Sequence, residues 1–151
     1  MNGIKPILVF GYGNPSRGDD ALGPAFVDAV EALGLSDVEC LTDYQLQVEH
    51  AMDLKGREKV VFVDASSALT ESFKVSEVSA ARDNTFTTHA ISPAAVLQAY
   101  RQVEGDEPPP TFLLAIRGES FELGEAMSAN AQAALADALE WFQSESCARS
   151  A

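Results

Sequence analysis

The unbroken apolar run Val60-Val61-Phe62-Val63, closed by the carboxylate of Asp64, is the feature that most limits what this chain can fold into. A run of this kind predicts a strand that is buried on both faces, and such strands are typical of parallel sheets covered by helices. The stretches 7–10 and 111–117 have the same character. We therefore expect an α/β fold.

Segments with apolar residues at helical spacing alternate with these strands. Helices are predicted over 21–33 and 48–54, from the Ser92-Pro93 start, and from Ser128 to Trp141-Phe142. A short strand is predicted at 38–41, and the alternating segment 73–78 suits a sheet edge. The pattern predicts one α/β domain over residues 1–151, with a mostly parallel, twisted five-stranded sheet, helices on both faces, one antiparallel edge strand and a frayed tail at 143–151.

The charge of the chain argues against several classes of partner. A formal net charge of -13, from 23 acidic and 10 basic residues, disfavours nucleic acid and anionic membrane surfaces. No apolar run approaches the roughly 20 residues that cross a bilayer. Pro6 before and Gly11 after the first apolar run favour a strand over a signal peptide, so we expect a cytoplasmic protein. Cys40 and Cys147 supply neither a disulfide framework nor a paired metal motif.

A glycine-rich loop with two adjacent carboxylates follows the first strand. Gly11 and Gly13 could open a dinucleotide-binding turn, but Ser16 stands where that fingerprint needs a third glycine. The carboxylates of Asp19 and Asp20 would also repel a pyrophosphate. We interpret the loop as a tight turn in which one aspartate caps the following helix and the other is free for a functional role.

A charge on Asp64 is energetically unfavourable unless it is paired, hydrogen-bonded or bound to a metal, because Asp64 ends a buried strand. A right-handed crossover would set that strand parallel to and beside the first, so that Asp64 and the loop containing Asp20 meet at one edge. With His89, which lies in a polar loop before a helix, they would form an incomplete shell for a nickel-type or zinc-type ion. His50 lies inside a helical run and is the more ordinary histidine, and Glu49 is a lesser candidate with a capping or solvated role.

A serine mechanism is a weaker interpretation of the same region. Ser66-Ser67 after the third strand could supply a nucleophile with His89 as its base. The sequence contains no nucleophile elbow of the Gly-x-Ser-x-Gly type and no oxyanion-hole signature.

The motifs taken together resemble those of the nickel-iron hydrogenase maturation endopeptidases. The matching segments, in the order that the family has them, are Gly11-Tyr12-Gly13-Asn14-Pro15, Asp19-Asp20, Gly23-Pro24, Val63-Asp64-Ala65, His89-Ala90-Ile91-Ser92-Pro93 and Phe121-Glu122-Leu123-Gly124 with Ser128. The resemblance covers nearly the whole chain. Ser16 and Ala21 stand where the family often has leucine and glycine, which makes the loop more polar and leaves the acidic pair in place.

The resemblance implies an endopeptidase that removes the C-terminal extension of a nickel-iron hydrogenase large-subunit precursor after nickel insertion. It implies that Asp20, Asp64 and His89 contact the nickel and carry the catalysis. The nickel arrives with the substrate, so no permanently bound cofactor is expected, and we expect a monomer. Two other classes stay open: a free-standing metal or serine hydrolase of a small substrate, and a non-enzymatic metal-binding module on the same fold.

Overall fold

Strands and helices alternate along the chain, and a computed structural model describes residues 3–81 and 91–150, with side chains as far as residue 145. The strands are β1 (Ile7–Tyr12), β2 (Val38–Asp43), β3 (Lys59–Ser66), β4 (Phe73–Glu77) and β5 (Thr111–Arg117). The α-helices are α1 (Leu22–Ala32), α2 (Pro93–Glu104) and α3 (Ala129–Ser150). Two 3₁₀ helices, Gly18–Ala21 and Val48–Leu54, follow β1 and β2.

The strands form one sheet in the order β2-β1-β3-β5-β4. The β1, β2, β3 and β5 strands are parallel, and β4 pairs with β5 in the antiparallel sense at one edge. The predicted α/β class, the five strands and the antiparallel edge strand are therefore confirmed. The carboxyl ends of β1, β2 and β3 consequently meet at one edge of the sheet.

Both faces of the sheet are covered, which explains why its central strands are apolar at every position. Val61 and Val63 belong to a core with α1 and α3, whereas Val60 and Phe62 belong to a core with α2 and the second 3₁₀ helix. Successive side chains of a strand point to opposite faces, so a strand between two helical layers needs no polar position.

Element boundaries differ little from the predicted ones. The Ser92 hydroxyl accepts a hydrogen bond from the N–H of Ala95 at 3.1 Å and caps α2 as predicted. The predicted helix at 48–54 is a 3₁₀ helix, and α3 continues past Phe142 to Ser150. In the described part of the chain, no helix combines the length and apolarity that crossing a membrane requires.

Candidate active site

The loop after β1 wraps tightly around Asp20. Gly13 has a φ of +147°, and a Cβ at this position would lie 2.1 Å from the carbonyl oxygen of Asp20. The N–H of Asn14 donates a hydrogen bond of 2.7 Å to Oδ2 of Asp20. Only glycine fits the close approach, and the peptide beyond it fixes one carboxylate oxygen of the half-buried Asp20 side chain.

Asp64 lies at the same edge of the sheet. Gly11 of β1 is opposite Val63 of β3, so the next positions along these parallel strands are Tyr12 and Asp64. The first 3₁₀ helix, which carries Asp20, packs against β3. The structure thus brings Asp20 and Asp64 into one region. The charge of Asp20 is close enough to affect the pKa of Asp64.

The pKa of Asp64 is raised from 3.8 to about 6, mainly by burial, and the nearby charge of Asp20 acts in the same direction. Hydrogen bonds from the Ala65 N–H and the Tyr12 hydroxyl act in the opposite direction, since both stabilise the ionised carboxylate. A carboxylate whose ionisation is opposed by a neighbouring carboxylate is well suited to binding a cation, because the cation removes the repulsion.

Tyr12 is a further member of this site and is not among the residues predicted from the sequence. Its phenol donates to Asp64, and its ring packs edge-on against Phe62 with 6.5 Å between centroids. Burial, followed by the charge of Asp64, raises the pKa of the phenol, so Tyr12 acts as a hydrogen-bond donor. The signal was available in the predicted pairing of β1 with β3, which places the residue between the two glycines beside Asp64.

Asp19 has a different partner from the one predicted. No side chain caps α1, so the predicted capping role of the acidic pair is wrong. Asp19 is fully buried, and its carboxylate accepts hydrogen bonds from the N–H groups of Glu119, Ser120 and Ser128 and from the Ser128 hydroxyl, at 2.7–3.1 Å. Burial works to raise the pKa of Asp19, but these four bonds lower it below its ordinary value. Asp19 therefore anchors the segment before α3.

The remaining candidates lie elsewhere or outside the described residues. His89 falls in 82–90, which the structure does not describe. Glu49 is exposed on the second 3₁₀ helix. Ser66 ends β3, where its hydroxyl accepts a hydrogen bond from the N–H of Ala68 at 3.2 Å. Across the described segments, no group of three metal-binding side chains is assembled.

Comparison with known proteins gives one consistent group of structures. No protein-family model matches the sequence, and no curated protein matches it. The solution structure of an endopeptidase from Escherichia coli matches this chain with a TM-score of 0.70 and 27% sequence identity. The match covers 90% of this chain and 88% of that one. The hydrogenase maturating endopeptidase HybD from E. coli is 26% identical over the same shares, with a TM-score of 0.67. The chain has the fold of the hydrogenase maturation proteases.

A third member of the family shows how far the fold is shared at lower identity. The [NiFe] hydrogenase maturation protease HycI from Thermococcus kodakarensis is 23% identical, and the match covers 93% of this chain and 92% of that one, with a TM-score of 0.71. In an α/β sheet of this kind, functional groups gather where the loops converge at the carboxyl edge of the sheet.

The raised pKa of Asp64 predicts that this protein is more stable without that carboxylate. A shift of the pKa from 3.8 to about 6 lowers the free energy of unfolding by about 3 kcal/mol at pH values well above 6. The ionised form is disfavoured in the fold, so the stability present below pH 3.8 is lost as the pH rises through about 6. We expect Asp64→Asn to raise the free energy of unfolding at pH 7.5 by about 1–3 kcal/mol, measured by urea denaturation.

The same measurement at pH 4 serves as the control, because Asp64 is then largely protonated and the two proteins should be nearly equal in stability. A variant no more stable than the unchanged protein at pH 7.5 would contradict the electrostatic account of this site.

Proposed function

We propose that this protease removes the C-terminal extension of a nickel-iron hydrogenase large-subunit precursor after nickel has been inserted. The nickel is part of the substrate, and Asp20, Asp64 and His89 contact it. The proposal rests on the convergence of Asp20 and Asp64 at the carboxyl edge of the sheet of a hydrogenase maturation protease. His89 enters through the family resemblance of its sequence segment.

The donor set suits nickel held by the precursor. Carboxylate oxygen and imidazole nitrogen are accepted ligands of such an ion, and an ion already bound by substrate thiolates needs only a few additional ligands. Bound between the two partners, the ion would polarise the scissile carbonyl or lower the pKa of a water molecule. A precursor without nickel would lack the contact that docks it. Cleavage would therefore follow nickel insertion.

The residues around the two carboxylates prepare them for this contact. The Asn14 N–H holds one oxygen of Asp20, and the Tyr12 hydroxyl and the Ala65 N–H hold the carboxylate of Asp64. Ligands that are already oriented lose little freedom on binding, so the site needs no rearrangement of these two side chains when the precursor arrives.

Substitution of the three proposed nickel contacts tests the assignment. Asp20→Asn, Asp64→Asn and His89→Ala should each lower the rate of precursor cleavage by at least about 100-fold, because each removes a contact on which the reaction depends. Product formation is followed by the intact mass of the precursor, and circular dichroism checks that each variant is folded.

Asp28→Asn is a matched control, since Asp28 is an exposed carboxylate on α1. It should cleave like the unchanged protein. Cleavage at the normal rate by any of the three site variants would remove that residue from the proposed set.

A further inference from the structure

His50 has both ring nitrogens occupied by hydrogen bonds, although its sequence context is that of an ordinary helical residue. Nδ1 accepts the N–H of Gln47 at 2.9 Å, so it carries no proton. Nε2 then carries the proton and donates it to Oδ2 of Asp43 at 3.1 Å. The ring packs edge-on against Phe10 with 4.6 Å between centroids, and only 12% of the side chain is exposed. The imidazole is thus held in one orientation and one tautomer.

The contact between His50 and Asp43 closes the loop of residues 43–50. Asp43 ends β2, and His50 lies in the second 3₁₀ helix. Leu46, in the middle of this loop, is 1% exposed and belongs to the core between the sheet and α2. The loop is therefore anchored at its ends by a side-chain pair and at its centre by burial.

This loop is hydrogen-bonded to both neighbouring segments of the candidate site. The carbonyl of Asp43 accepts the N–H of Gly13 at 3.1 Å, directly before the peptide that binds Asp20. The carbonyl of Leu46 accepts the N–H of Ile91 at 3.4 Å, and Ile91 follows His89 by two positions in the sequence. One closed loop thus contacts the segment that carries Asp20 and the segment that follows His89.

We propose that His50 is a positioning residue of the protease: by donating from Nε2 to Asp43 it holds the 43–50 loop closed, and the loop in turn holds the Gly13 and Ile91 segments in register. This proposal rests on the proposed function, because the segments that the loop holds in place are those that carry or adjoin the proposed nickel contacts. The competing explanation is local, namely that His50 only satisfies the Gln47 N–H at the start of the second 3₁₀ helix.

Two isosteric substitutions separate these explanations, because asparagine and glutamine each reproduce one of the ring nitrogens. His50→Asn places an oxygen near Nδ1, which keeps the acceptor for Gln47 and loses the donor to Asp43. His50→Gln places an amide nitrogen near Nε2, which keeps the donor and loses the acceptor. Each variant loses one hydrogen bond, so the two should unfold at similar urea concentrations.

We expect His50→Gln to retain most of the cleavage rate and His50→Asn to lose about 10- to 100-fold in kcat, the range typical of residues that orient a ligand. Amide hydrogen exchange at Gly13 and Ile91 should be faster in His50→Asn and nearly unchanged in His50→Gln. The exchange measurement needs no substrate, so it decides the role of His50 in the loop even if the unchanged protein cleaves no precursor and the proposed function fails.

Equal cleavage and equal exchange in the two variants would overturn the proposal. The reverse order, with His50→Gln the more impaired, would also overturn it and would assign His50 to the Gln47 contact alone.

Discussion

Replacing Gly23 with alanine will lower the free energy of unfolding by at least about 3 kcal/mol, beyond the usual range for an added methyl group in a packed core. A Cβ at Gly23 would lie 2.5 Å from the carbonyl oxygen of Tyr12 and 2.8 Å from that of Val63. Both oxygens belong to the backbone of the sheet, so the collision cannot be relieved by the rotation of a side chain. The start of α1 would have to shift away from β1 and β3, next to the two candidate carboxylates.

Gly34→Ala is the control for this substitution. Gly34 has a φ of +67°, and a Cβ added there would have no atom within 4 Å, so alanine adds backbone strain without a collision. Its expected cost is about 1 kcal/mol. Urea denaturation of both variants measures the difference, and a loss no larger for Gly23→Ala than for Gly34→Ala would show that the close contact between helix and sheet is not tight.

Replacing Asp19 with alanine will lower the free energy of unfolding by about 3 kcal/mol, because three partly buried N–H groups lose their acceptor at about 1 kcal/mol each. These groups, from Glu119, Ser120 and Ser128, donate to the fully buried Asp19 carboxylate. Asp19→Asn should lower the free energy of unfolding by less than Asp19→Ala, because asparagine keeps one acceptor oxygen. It should still destabilise the fold, since its NH2 group cannot accept hydrogen bonds from the other N–H groups. Asp28→Asn, on the exposed face of α1, should change the stability by less than about 0.5 kcal/mol.

The pH dependence of the Asp19 effect has a definite sign. The pKa of Asp19 is lowered in the fold, so its stabilising contribution is present above the ordinary value of 3.8 and is lost as the pH falls through the folded value. The stability gap between the unchanged protein and Asp19→Asn should therefore be full at pH 7 and should narrow under acidic conditions. A gap independent of pH would mean that the carboxylate charge makes no contribution.

The sheet could be predicted from the sequence because its strands carry the strongest local pattern. The runs at 7–10 and 60–63 are apolar at every position, and only a sheet with helices on both sides buries all of them. The neighbouring position of Asp64 and the loop of Asp20 follows from the same pattern, since a right-handed crossover sets β3 beside β1.

The contacts that organise the site could not be predicted in the same way, because they join residues far apart in sequence. Asp19 binds groups about a hundred positions away, where no local pattern links it to Ser120 or Ser128. His50 occupies a helical run that conceals its contact with the end of β2. Tyr12 is the exception, because the predicted pairing of β1 with β3 already places it beside Asp64.

Cleavage of a purified large-subunit precursor, with and without its nickel, tests the central claim most directly. The precursor is incubated with this protein, and the intact mass of the product is measured. We expect the nickel-loaded precursor to lose its C-terminal extension and the nickel-free precursor to stay intact. Equal cleavage of both forms, or no cleavage of any nickel-loaded precursor, would contradict the account.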